Sequence, residues 1–295
     1  MKISVLTTTY NRGNLLGQVY SSLLENNNYG VEIEWLIMDD ESTDNTKYVV
    51  ESFGLEKKIT IKYFWQKNQE KMASINNLIK KTSGDLIVIC DSDDYFTKDA
   101  FKIIKEEYEK NKEEEVIYGL CFLKYNQNME NMGKTFIKNK TTMFDLYFKE
   151  GEDGEKAIVF YSEIRKKYKH ELENKEKIIT EARMYHKIDK EYKMICINKP
   201  IMICEYLSDG KTKNIQKQFK ENPYGYYEYF KEIFSMDMKN IKFSKRLYII
   251  KHYILFKYLT NSKKSLKNVK GILNKILYIF LYIPGIHQSK RKFSK

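Results

Sequence analysis

Residues 86–90 read Leu86, Ile87, Val88, Ile89, Cys90, and the next four positions are Asp91, Ser92, Asp93 and Asp94. An unbroken apolar run of this length describes a strand buried on both faces, as strands are in parallel sheets with helices on both sides. Carboxylates crowded at its end repel one another and are costly to desolvate. A cation is therefore expected where this strand stops.

The first half of the chain repeats the pattern. Apolar runs at Ile3 to Leu6, Ile33 to Met38, Ile59 to Trp65, Leu86 to Cys90 and Val116 to Leu123 read as strands. Between them, amphipathic stretches at Leu15 to Leu24, from Asp44 onward, Met72 to Lys81 and Lys98 to Lys110 read as helices. This alternation predicts an α/β fold with a mostly parallel sheet and flanking helices. Ligands in such sheets bind at the carboxyl ends of the strands. Those ends carry Thr7 to Arg12, Asp39 to Asp44, Gln66 to Asn68 and the Asp91 to Asp94 cluster.

Each motif has a physical reading. Asp44 is placed to cap the helix that follows it, which leaves Asp39 and Asp40 to bond a base edge or a ribose hydroxyl. Asp91 and Asp93 share one face if extended geometry persists. Two carboxylates separated by a small residue suit Mg²⁺ or Mn²⁺ together with phosphate oxygens. The competing reading is a surface turn that caps the next helix. No GxxxxGK[ST] or GxGxxG loop is present, so a bound diphosphate relies on a metal and on basic side chains, with Arg12, Lys67 and Lys71 as candidates.

Four stretches together resemble the family 2 glycosyltransferases of GT-A fold: SVLTTTYNR, WLIMDDESTDNT, NQEKMASINNLIKKTSGDLIVICDSDD and IITEARMY. Further on, EYLSDGKTKN and ENPYGYYEYF resemble a bacterial subgroup associated with surface polysaccharide. The resemblance implies a nucleotide border at Thr8, Thr9, Tyr10 and Arg12, and a uracil contact at Asp40 with Asp39 beside it. It implies a donor-phosphate contact at Lys71, a metal and diphosphate site at Asp91, Ser92 and Asp93 with Asp94 flanking, and a catalytic base at Glu181. It also implies Gly where this chain has Glu70, and small residues where it has Ser74 and Leu78. The implied function is metal-dependent, inverting transfer of a sugar from a nucleotide donor to a glycan or lipid-linked glycan. Glu171, Glu173 and Glu176 are reserve bases. His186 reads as a structural histidine, with metal ligation as the alternative.

Composition separates the last segment from the rest. Residues 241–295 hold 14 Lys or Arg and no acidic residue, whereas positions 1–240 hold 38 basic and 40 acidic residues. The expected division is a catalytic domain over 1–215 and a basic, aromatic-rich helical region over 216–295. Within the latter, KRLYIIKHYILFKYL sets Leu247, Ile250 and Ile254 at helical spacing among Lys245, Arg246, Lys251 and Lys257. This reads as an interfacial helix attracted to an anionic membrane surface; the competing reading is a helix packed on the protein. No nucleic-acid module accompanies the charge, so no nucleic-acid partner is expected. Cys90, Cys121, Cys196 and Cys204 lack CxxC spacing and lie among apolar residues, which suits reduced thiols in the cytoplasm. Two further alternatives remain at this stage. One is a degenerate scaffold protein. The other is a DxD phosphatase, disfavoured by Tyr95 where that class has Thr or Val.

Overall fold

β1 (Lys2–Thr9), β2 (Glu32–Asp39), β3 (Thr60–Trp65) and β4 (Leu86–Ile89) form a strictly parallel set in the order β3-β2-β1-β4. The computed structural model describes residues 1–55, 58–172, 176, 178–205, 215–263 and 266–293. The register sets Thr9 opposite Asp39 and Asp39 opposite Trp65, so three strands end level with one another. Val5, Leu6, Trp35, Leu36, Ile87 and Val88 are fully buried, each contributing about 1.5–3 kcal/mol of transfer free energy. α1 (Gly13–Glu25), α2 (Thr46–Gly54), α3 (Glu70–Ile79) and α4 (Ala100–Asn111) connect or follow these strands.

Beyond β4 the sheet becomes mixed. β5 (Asp94–Phe96), β6 (Ile117–Tyr125), β7 (Lys140–Thr141), β8 (Lys156–Tyr161) and β9 (Lys193–Cys204) complete it, and β8 runs antiparallel to both β4 and β6. The expected mostly parallel sheet is thus parallel in its first half and mixed in its second. β6 and β9 pair in parallel with register shifts near Pro200, where proline supplies no ladder donor. The short helix α6 (Ser162–Arg165) follows β8.

The chain forms two compact units. The first holds the sheet: Met1–Thr142, Glu152–Lys169 and Glu191–Ser208. The second comprises Met143–Gly151, His170–Lys190 and Asp209–Lys295. Segments 143–151 and 170–190 therefore belong with the C-terminal helices and not with the expected 1–215 domain. The cause is β8 and β9, which the sequence reading lacked and which return the chain to the sheet twice.

The second unit contains α5 (Met143–Asp145), which continues as a π-helical turn over Leu146–Glu150, then α7 (Ala182–Ile188), α8 (Ile215–Glu221), α9 (Pro223–Ile233), α10 (Phe243–Leu259) and α11 (Ile272–Phe293). Its core gathers Phe230, Phe234, Ile249, Ile250, Tyr253, Ile254, Phe256 and Tyr278. α10, expected as an interfacial helix, is instead a core helix. Lys257 is 2 % exposed and lies under the Tyr253 and Tyr278 rings at 5.4 and 5.9 Å, where burial lowers its pKa.

Candidate functional site

The turn after β4 alternates in burial: Asp91 and Asp93 are half-exposed, whereas Ser92 and Asp94 are buried. Each of the three carboxylates has a cation of its own. Lys71 Nζ, from the first turn of α3, lies 2.7 Å from Asp91 Oδ2. Arg12 Nη1, from the residue before α1, donates to Asp93 Oδ2 at 2.9 Å. Lys124 Nζ, from β6, lies 2.7 Å from Asp94 Oδ2. The first two pairs are solvent-accessible, and such pairs contribute about 0–1 kcal/mol. The third is buried. Burial alone would discharge Lys124, but the negative charges of Asp94, Glu155 and Asp91 outweigh it and hold the ammonium protonated. Removing one partner of such a buried pair costs about 3–5 kcal/mol. Asp94 is thus a structural residue, and the two accessible carboxylates face the strand-end edge.

Asp39 and Asp40, at the end of β2, are both buried. Asp39 Oδ1 accepts from the Ser42 amide at 2.7 Å, and its Oδ2 accepts from the Tyr63 hydroxyl at 2.6 Å. Burial and the Asp39 bond raise the Tyr63 pKa. Asp40 accepts three donors: Gln66 Nε2 at 2.7 Å and the Gln69 amide at 3.0 Å on Oδ1, and the Glu70 amide at 2.8 Å on Oδ2. Asp40 therefore holds the loop that opens α3, the helix carrying Lys71. Gln66 extends the net to Ser74 and Asn77.

Three non-glycine residues with positive φ stand at this edge: Asn11 at 52°, Glu41 at 76° and Glu70 at 68°. Asn11 tolerates that conformation and ties two strand ends together. Its amide donates to Ser42 Oγ at 2.8 Å, and its Oδ1 accepts from the Thr43 amide at 2.7 Å. The conformation at Glu70 is one that glycine adopts without steric cost, which gives a physical reason for the glycine that the resemblance implies here. Asp44, the expected N-cap, lies one residue ahead of the observed cap position. Asn45 directly precedes α2, while Asp44 accepts from the Thr46 amide at 3.0 Å and from the Gly13 amide at 3.1 Å. A Cβ at position 13 would lie 2.9 Å from Thr46 Cα, so glycine allows the two helix starts to meet. Thr8 is half-buried and Tyr10 is exposed. Thr9 Oγ1 is buried with no hydrogen-bond partner among the described residues.

Glu181 belongs to the second unit, where it directly precedes α7 and accepts from the Tyr185 hydroxyl at 3.2 Å. Of the reserve acids, Glu171 is engaged with Lys187 and Arg183. Glu176 accepts from the Tyr224 and Gly225 amides at 2.7 and 2.6 Å, capping α9. Glu173 lies outside the described residues. His186 sits among Phe144, Phe148 and Tyr229, and burial lowers its pKa to about 3.

The sheet's carboxyl edge thus offers two accessible carboxylates, the two cations paired with them, and an ordered polar loop. Sequence reasoning listed Asn11 and Gln66 among strand-end residues without giving them a role, and it missed Lys124. The signal for Asn11 was its residue type at a strand-to-helix turn; Lys124, inside an apolar strand, gave none beyond its charge. Lys67 is exposed and makes no hydrogen bond or ion pair among the described residues.

Comparison with known proteins agrees with this geometry. The sequence profile of glycosyl transferase family 2 matches residues 4–179. The chain is 34 % identical over 146 residues to an uncharacterized glycosyltransferase of Mycoplasma pneumoniae, spanning 48 % of each protein. It is 31 % identical over 206 residues to one of Mycoplasma genitalium, covering 68 % of this chain and 66 % of that protein. For the first of these relatives, the match spans about half of the relative's length. Among solved structures, Staphylococcus aureus TarS 1–349 in complex with UDP-GlcNAc has a TM-score of 0.60 at 17 % identity, covering 99 % of this chain and 84 % of that one. That likeness establishes a shared GT-A fold. The profile match spans more than half of the sequence, and this chain belongs to glycosyl transferase family 2.

Proposed function

We propose that the enzyme transfers a sugar, with inversion, from a uridine diphosphate donor to a hydroxyl of a glycan or lipid-linked glycan in cell-surface polysaccharide synthesis. The observation that carries this reading is the pairing of Asp91 with Lys71 and of Asp93 with Arg12 at the carboxyl edge of the parallel strands. A donor diphosphate brings anionic oxygens to that edge. Lys71 and Arg12 then exchange a carboxylate for phosphate, and Asp91 and Asp93 are released to a divalent cation. The donor set fits Mg²⁺ or Mn²⁺: two hard, accessible carboxylates with room for phosphate oxygens and water. No cluster of three or more metal-ligating side chains exists among the described residues, and Asp91 and Asp93 are the side chains that would hold the ion. When bound, the metal supplies charge relief on the departing diphosphate.

Thr8, Thr9, Tyr10 and the Asp39–Asp40 loop border the nucleotide in this reading, and the unpaired Thr9 hydroxyl is a ready partner for it. Ser92, whose side chain is buried, contributes through its backbone. Glu181 takes the proton from the acceptor hydroxyl as general base. Uridine is favoured by TarS, crystallised with UDP-GlcNAc. A Pyrobaculum calidifontis mannosyltransferase in complex with GDP-Man and Mn²⁺, with a TM-score of 0.55 at 12 % identity, provides the guanosine comparison. The test is nucleotide release from a panel of UDP-sugars and GDP-mannose, with Mn²⁺ and with EDTA. Metal-dependent release of UDP, above the uncatalysed rate, supports the proposal; release only from the guanosine donor, or none, contradicts it.

A further inference from the structure

α11 has a buried side and an exposed apolar side. With 3.6 residues per turn, Asn274, Tyr278, Gly285 and Ser289 fall along one side. The first two and Ser289 are buried, and a Cβ on Gly285 would lie 3.0 Å from Ile254 Cγ2. Ile272, Ile276, Ile279, Phe280 and Ile283 fall on the opposite side, where Ile272, Phe280 and Ile283 are 80, 75 and 77 % exposed. The stripe continues for about 17 Å along the helix. Single exposed apolar residues are ordinary, but a continuous stripe marks a surface that something covers.

Its electrostatic setting narrows the occupant. Lys275, Lys290 and Arg291 on the same helix are exposed, and the whole segment 241–295 carries 14 Lys or Arg without one acidic residue. A second copy meeting this face about a twofold axis would bring the same cations together. The positive charge is spread along the segment, which suits a surface of many anions more than one acidic patch. No helix among the described residues is long and apolar enough to cross a membrane, so a helix lying along the surface is the geometry left for a lipid partner. We propose that α11 docks on an anionic lipid bilayer, with Ile272, Ile276, Ile279, Phe280 and Ile283 entering the headgroup boundary and Lys275, Lys290 and Arg291 against lipid phosphate. The expected membrane contact therefore moves from α10, whose apolar residues form the core, to the outer face of α11.

Co-sedimentation of the full-length protein with vesicles tests this without donor or acceptor, so its failure is separable from failure of the transferase reading. Binding is expected to vesicles mixing phosphatidylcholine with phosphatidylglycerol and not to phosphatidylcholine alone. Phe280→Ser with Ile283→Ser, and separately Lys290→Gln with Arg291→Gln, should each weaken binding about tenfold or more with an unchanged circular dichroism spectrum. Phe280→Trp should shift its emission to the blue and be quenched by brominated lipid. No binding, equal binding to neutral vesicles, or binding indifferent to Phe280 and Ile283 overturns the proposal. So does self-association in sedimentation that the serine pair abolishes, because a second copy would then cover the stripe.

Discussion

The Lys71 ammonium stands 2.7 Å from Oδ2 of Asp91, so the protein itself supplies a cation to the strand-end carboxylates. Lys71→Met should weaken binding of UDP with Mn²⁺ by about ten- to a hundredfold, the loss of one charge-assisted hydrogen bond. Binding of Mn²⁺ alone should not weaken, because Asp91 is freed. Calorimetry of both titrations checks this, and an unchanged UDP affinity would reduce Lys71 to a surface ion pair.

Glu70 holds a φ of 68° that an L-residue adopts at a cost. Glu70→Gly should therefore stabilise the protein, by about 0.5–1 kcal/mol once glycine's extra unfolded-state entropy is subtracted. A β-branched residue there should destabilise it. Thermal denaturation of Glu70→Gly and Glu70→Val should move the midpoint in opposite directions.

His186 makes stability depend on acid. Its folded pKa, about 3, lies below the ordinary 6.5, so the unfolded chain binds a proton that the folded protein refuses. Its contribution is complete above pH 6.5 and is lost toward pH 3, at about 1.4 kcal/mol per pH unit. Asp189, pushed up by burial to about 7, acts in the opposite sense: its share is complete below its ordinary 3.8 and is lost as pH rises through about 7. The His186 share is therefore read as a difference. Urea denaturation from pH 3 to 7 should show stability rising with pH more steeply in the wild type than in His186→Phe.

Glu181 and Glu176 lie five residues apart and should respond differently. Glu181→Gln should lower turnover by about a hundredfold or more, with UDP affinity and stability unchanged. Glu176→Gln should cost about 1–2 kcal/mol of stability through the cap of α9 and leave turnover of the folded protein intact. Steady-state rates beside denaturation curves check the pair.

The legible part of this chain is the part governed by local pattern. Runs such as Leu86 to Cys90 announced the parallel strands, and polar residues at their ends announced the edge that carries the candidate site. The illegible part depends on partners distant in sequence. Arg12 and Asp93 are 81 positions apart, and Lys124 and Asp94 are 30 apart. β9 was hidden by Asn198 and Pro200 in its middle, and with it the interleaving of the two units. In α10, Leu247, Ile250 and Ile254 by themselves have the spacing of an interfacial helix. Ile249, Tyr253 and Phe256 widen its apolar surface beyond a single stripe, which is the mark of a buried helix.

The central claim is that Asp91 and Asp93 exchange their protein cations for a metal held against a donor diphosphate. The measurement that tests it most directly is calorimetric titration of UDP into the wild type and Asp93→Ala, each with Mn²⁺ and with EDTA. The account predicts binding by the wild type with Mn²⁺ and its loss both in EDTA and in Asp93→Ala. Equal UDP affinity in EDTA, or in Asp93→Ala with Mn²⁺, would contradict it.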